Sequence, residues 1–324
     1  MKMRNVVVIG GGHGQAQICR GIKNIADTHI SAIVTVADDG GSTGRLRRQF
    51  NIPAMGDIRN VMLALADHES IMSSLMNYRF DDPNGTETDV AGHNLGNLIL
   101  TALTQQSGSF FDAVKIIDDV LNVRGEIIPS TTQVITLYAR MEDGVIVAGE
   151  ANIPHIDNHI ERVFYTEDVH ATPEAVKAIE DADLIIFGIG SLYTSIMPNV
   201  IIPEIGDALH HTHGRKVYFC NAMSQPGETD GYSVEDHVDA LKRHGVSVDA
   251  VVVADDHIPE TNRARYSRKH SYPVCLRECK HDYDIICRHL LSFDDGLIRH
   301  DVKGIHDVTK DLLKGKVYCH FLPK

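Results

Sequence analysis

The segment "NVVVIGGGHG", residues 5–14, runs an uninterrupted apolar stretch straight into a cluster of glycines. Such a stretch has no polar face to give to water, so it reads as a strand buried on both sides. The amphipathic "QAQICRGIKNIA" follows, and then a second apolar run, "ISAIVTVADD". Strand, helix and strand in that order make a βαβ unit. The device recurs in "LIIFGIGSLYTS", again an apolar strand entering a glycine loop. "KVYFC" and "VDAVVVADD" read as further strands, and "TPEAVKAIEDA" and "VEDHVDALKRHG" as the helices between them. This alternation predicts an α/β fold: a doubly wound, mostly parallel sheet with helices on both faces. Two departures are expected: an antiparallel hairpin around "MEDG" and a helical insertion, "GNLILTALTQQSGSFFDAVKIIDDVLNV", broken near Gly108. Pro- or Ser-rich linkers are absent, so residues 1–324 are expected to form one domain.

In such a sheet the strand-to-helix loops gather at the carboxyl edge, where ligands bind. "GGGHG" supplies Gly11, Gly12, His13 and Gly14. Glycine lets backbone N–H groups approach a phosphate, and the following helix N-terminus favours the anion. The strict dinucleotide fingerprint fails, because Gln15 or Gln17 stands where a small residue is required. The Walker pattern is also absent, so the choice lies between a phosphate loop and a tight structural turn. The second strand ends in "ADDGGSTGRLRR". Asp38 and Asp39 suit ribose hydroxyls or a hydrated magnesium ion; Gly40 and Ser42 add donors, and Arg45 can fork onto a phosphate. The alternative is an Asp-Asp cap on the next helix with solvated arginines. In "GHNLGN", Asn94 is a ligand contact or a helix N-cap, and Asn97 lies on the same turn. "GIGSLYTSIMPN" presents Gly190, Ser191, Tyr193, Thr194 and Ser195. It breaks the G-x-S-x-G elbow, which disfavours a serine hydrolase. Asn221 closes the set at the end of "KVYFCN".

Composition excludes other classes. Lys plus Arg is 31 against 44 for Asp plus Glu, a net charge of -13, which argues against nucleic-acid binding. No apolar run reaches membrane-spanning length, and "MKMRNVVVIGGGHG" lacks the long apolar region and small-residue cleavage site of a signal peptide, so none is expected. The six cysteines are sparse and read as reduced thiols, so a cytoplasmic location is expected. Cys275, Cys279, His281 and Cys287 cluster, yet their spacing matches no standard zinc pattern. His155 and His159 lack the Glu of H-E-x-x-H. No metal ligand and no catalytic residue is therefore assigned.

Five long motifs occur in one order: "VVVIGGGHG", "TVADDGGSTGRLRRQFNIPAMGDIRN", "GHNLGN", "GIGSLYTSIMPN" and "CNAMSQPGETDGYSVEDHV". Together they resemble the gluconeogenesis factor family, which is related to the 2-phospho-lactate transferases. The resemblance implies a Rossmann-like, CofD-like domain in a cytoplasmic bacterial protein required for growth and cell shape on gluconeogenic carbon sources. It also implies binding of UDP-activated sugars, notably UDP-N-acetylglucosamine, with contacts from Tyr266 and Arg299. His13 stands where the family usually has Thr, and Ile189 where it has Pro. A homo-oligomer is expected, with no nucleic acid, no membrane and a protein partner that the sequence does not identify.

Three activities compete. The first is a non-catalytic sensor that binds a UDP-sugar. The second is a magnesium-supported transferase acting from an activated donor. The third, a nicotinamide-dependent oxidoreductase, is weakened by the failed fingerprint. With no nucleophile–base signature, the sensor is preferred.

Overall fold

The first strand, β1 (Arg4–Gly10), lies near the centre of its sheet, with β2 (Thr28–Val34) on one side. The computed structural model describes residues 3–67, 71–81 and 90–315. Beyond β2 lies β3 (Glu126–Pro129). A small antiparallel sheet follows in the chain: β4 (Tyr138–Met141) pairs with β5 (Ile146–Ala148) and with β6 (Ile160–Phe164). The chain then returns to the other side of β1 with β7 (Leu184–Phe187), β8 (Arg215–Phe219), β9 (Ala250–Ala254) and β10 (Asp284–Arg288). The resulting seven-stranded order is β10-β9-β8-β7-β1-β2-β3. Every pairing in it is parallel.

Between β1 and β7 the order reverses, and in sheets of this kind the ligand crevice lies outside the carboxyl ends of the two strands at such a point. The register places Gly10 beside Val34 and Ile9 beside Phe187, so the loops begin at one level. Val6 to Ile9 and Ala32 to Val34 are all at most 1% exposed, as strands covered on both faces require. Helices cover the sheet, and the first and last described ones, Gly12–Ile22 and Val302–Leu313, pack together. At their crossing a Cβ on Gly21 would lie 2.4 Å from Ile305 Cγ2, so only glycine fits.

The parallel sheet, the "MEDG" hairpin and the helix break at Gly108 are all present. Gly108 is itself a left-handed C-cap after Leu95–Ser107, and Phe110–Leu121 follows. Three strands go beyond the sequence expectation. β3 and β10 are short sheet edges opening on Glu126 and Asp284, and β6, "IERVF", carries two charges. The loop "DDPNGTETD" lies outside the described residues except for Asp81, as does the end of the tail. No described helix is long and apolar enough to cross a membrane. Among the described residues five cysteines carry no disulfide.

Candidate functional site at the carboxyl edge

The first glycine loop is shaped by its neighbours inside the chain. Gly12 has φ +61°, a conformation that glycine adopts without strain. A Cβ on Gly11 would lie 2.5 Å from Asp57 Oδ2, and one on Gly14 would lie 2.2 Å from the Ile189 carbonyl oxygen. The helix start is thus pressed against the loop leaving β7. Gln15, the residue that breaks the dinucleotide fingerprint, is fully buried. Its Nε2 donates to the carbonyls of Val8 at 2.9 Å and Ile33 at 2.8 Å, tying β1 to β2. His13 is exposed on the first turn.

The second loop is held from below. Asp38 Oδ1 accepts the Gly40 N–H at 2.9 Å, and Asp39 Oδ1 accepts the Ala151 N–H at 2.9 Å. The helix Gly41–Phe50 is capped by Gly40 with no side-chain bond, so neither acid serves as its cap. Arg47, not Arg45, organises the turn. It is buried and donates to the carbonyls of Asp38 (2.8 Å), Ala37 (3.2 Å) and Ile135. Arg45 is exposed and donates to the Ala91 carbonyl at 2.8 Å. Ser42 is buried with its Oγ 2.9 Å from His93 Nδ1.

Asn94 caps the helix Leu95–Ser107, its side chain accepting from Gly96 and Asn97. Asn97 is buried; it accepts from Arg59 at 3.2 Å and donates to Ser42 and Thr43. Tyr193 is part of the core, its hydroxyl 2.8 Å from that of Tyr232 and donating to the Ile160 carbonyl. Thr194 is also buried and donates to Glu228 at 3.0 Å. Gly190 and Asn221 bond reciprocally across the ends of β7 and β8, at 2.8 and 3.3 Å. Gly190, Ser191, Ser195 and Asn221 remain partly open to solvent. Of the nineteen expected positions, then, Gly11, Ser42, Asn94, Asn97, Tyr193 and Thr194 are internal supports. Of the partly open ones, Gly12, Gly14, Asp38, Asp39, Gly40, Gly190, Ser191, Ser195 and Asn221 follow the carboxyl ends of β1, β2, β7 and β8.

Tyr266 and Arg299 are linked through Ile298 in the tail. Tyr266, on the helix Glu260–Ser267, accepts the Ile298 N–H at 3.0 Å, next to Arg299. Arg299 is exposed on β12 (Arg299–His300), which pairs with β11 (Leu291–Ser292). The next residue, His300, is buried; its ring bonds to the Cys220 backbone and its carbonyl accepts from Gln17 Nε2 at 2.7 Å. This anchors the tail strand between the end of β8 and the first helix.

Four charged residues at the site go unmarked by sequence reasoning. Asp57, at the start of the helix Gly56–Leu65, accepts the Gly12 N–H; burial and then the Asp38 charge push its carboxyl up to about 7. Burial followed by the charges of Asp38, Asp57, Glu228 and Asp39 pushes Glu150 up to about 8. Glu228 is pushed up to about 7 by burial, against bonds from Thr194, Tyr193 and Ser191. Arg59 is buried beside this group, lowered to about 10 by burial and the Arg79 charge, and its Nε has no partner. Asp57 and Glu228 lie in motifs already noted, "GDIRN" and "PGETDGY"; Glu150 carries no local signal. Asp57 and Glu150 thus gain proton affinity from the shared charge of Asp38.

The family model described as "2-phospho-L-lactate transferase CofD" matches residues 6–291. The gluconeogenesis factor of Bacillus subtilis (strain 168) is 44% identical over 315 residues, covering 95% of this chain and 98% of that protein. The gluconeogenesis factor of Halalkalibacterium halodurans is 42% identical over 322 residues, covering 98% of each. A crystal structure of a UPF0052 family member from Bacillus halodurans superposes with a TM-score of 0.89 at 40% identity, covering 94% of this chain and 99% of that one. The chain accordingly belongs to the CofD family, among its gluconeogenesis factors.

Proposed function

We propose that the chain is a UDP-sugar receptor whose ligand lies along the β1–β7 crevice, and that it senses cell-wall precursor supply without turning the ligand over. One observation carries this reading. The tail strand is anchored at the end of β8 through His300 and Cys220, and it carries Arg299 and, through Ile298, the hydroxyl of Tyr266. Backbone N–H groups at the helix start and the Arg299 guanidinium suit a diphosphate. The Tyr266 hydroxyl is occupied by Ile298, which leaves its ring to stack on a base. Asp38, Asp57, Glu150 and Glu228 would repel the same diphosphate unless a cation stood between them. Magnesium carried in with the diphosphate would supply that charge neutralisation.

The buried acids also favour a second reading, a transferase that uses a nucleotide-activated donor and magnesium. Calorimetry with mass spectrometry on the same samples separates the two. UDP-N-acetylglucosamine is expected to bind with micromolar affinity, about -8 kcal/mol, and to be recovered intact. Arg299→Ala should weaken binding by about 1.5–3 kcal/mol, as loss of a charged hydrogen bond does. Binding of NAD without UDP-sugar binding would sink the receptor reading, and product formed with magnesium would establish the transferase.

A further inference from the structure

The cysteine–histidine cluster of the tail is rearranged by the fold. Cys287 is buried in β10, and the Cys275 thiol donates to the Pro273 carbonyl. Cys279 and His281 converge instead on Glu235, in the first turn of the helix Val234–Arg243. Ligand atoms from the three residues all lie within 4.8 Å of one another. His281 Nε2 stands 3.4 Å from Cys279 Sγ and 2.8 Å from Glu235 Oε1. A zinc tetrahedron with bonds of about 2.3 Å to sulfur and about 2.0–2.1 Å to nitrogen and oxygen has edges of roughly 3.3–3.6 Å. The observed spacings lie within a small side-chain adjustment of these.

The bonding makes the same point. A thiol and a carboxylate both face one imidazole nitrogen, which carries at most one proton. A single divalent cation would satisfy all three groups at once. The carboxylate is already aimed, since it accepts the Arg277 backbone N–H at 3.1 Å. The side chains of His281 and Glu235 are 14% and 9% exposed, whereas Cys279 is open to solvent, leaving room for a water ligand.

We propose that Glu235, Cys279 and His281 bind one zinc ion, with water in the fourth position. Sulfur, imidazole and carboxylate together select a borderline-soft metal over magnesium or calcium. Binding would release the thiol proton to solvent and leave the thiolate on the metal. The ion would pin the 275–281 segment to the helix that follows the Asn221 loop. No sequence pattern exposes this site, because Glu235 is supplied from another element.

The test uses the full chain, stripped with chelator and titrated with cobalt(II) and then zinc. The wild type is expected to take up one cobalt per chain with a thiolate-to-cobalt charge-transfer band that zinc abolishes. Cys279→Ser should lose the band and weaken zinc binding by more than roughly 100-fold, beyond what loss of an outer-shell partner costs. Cys275→Ser should behave as wild type. Absence of the band in the wild type, its persistence in Cys279→Ser, or its loss in Cys275→Ser would each overturn the assignment.

Discussion

Asp57 lies beneath the glycine loop, accepting the Gly12 N–H while burial and the Asp38 charge raise its carboxyl to about 7. Its unfolded value is near 4, so the native state holds the proton more tightly. The stabilisation is complete below about pH 4 and is lost as pH rises through about 7. Asp57→Asn keeps an acceptor for Gly12 and removes the ionisation. The variant should exceed the wild type in stability at pH 8 by up to about 4 kcal/mol, with the gap closing towards pH 4, since each tenfold difference in proton affinity is worth about 1.4 kcal/mol. Denaturant melts at pH 5 and pH 8 measure this, and parallel pH curves for the two proteins would refute it. The sequence displayed Asp57 inside "GDIRN", but nothing local says that "GGGHG" will land on it. Asn94 was legible as a cap because capping is a local affair. Tyr193 was not legible as core, because its partners Tyr232 and Ile160 come from distant segments.

At the scale of elements, the central strands could be read because each is an apolar run ending in glycine, acid or, for β8, Asn221. The edges β3 and β10 could not, since an edge needs less burial and tolerates Pro129 or Asp284. The two glycine loops interlock, and this contact also escaped the sequence. Gly14 reads equally well as a phosphate contact and as a packing residue, and the fold sets it against the Ile189 carbonyl. Gly14→Ala should therefore cost about 1–3 kcal/mol, the usual penalty for overpacking, because backbone on both sides must move. The same displacement would carry Gly190 away from Asn221 and weaken ligand binding. A thermal melt with calorimetry on one preparation reads both effects. An unchanged midpoint would mean that the loops are loosely apposed.

For the whole molecule, the order of strands carries the last prediction. β1, from the first residues described, lies between β2 and β7, and β7 comes from beyond residue 180. The edges β3 and β10 are made by residues 126–129 and 284–288. A cut between β1 and β7 in the chain therefore leaves one half holding β1 with an unpaired edge, and the other half holding β7 with the same defect. The helix Val302–Leu313 then packs back onto Gly12–Ile22, joining the two ends of the described chain. Neither half keeps a closed core, so residues 1–324 should unfold as one cooperative unit. Scanning calorimetry is expected to show a single transition whose calorimetric and van't Hoff enthalpies agree. Limited proteolysis in the exposed turn at residues 142–145 should yield fragments that stay associated and melt together. Two resolved transitions, or a proteolytic half that keeps its fold after separation, would show that the sheet is divided into independent parts.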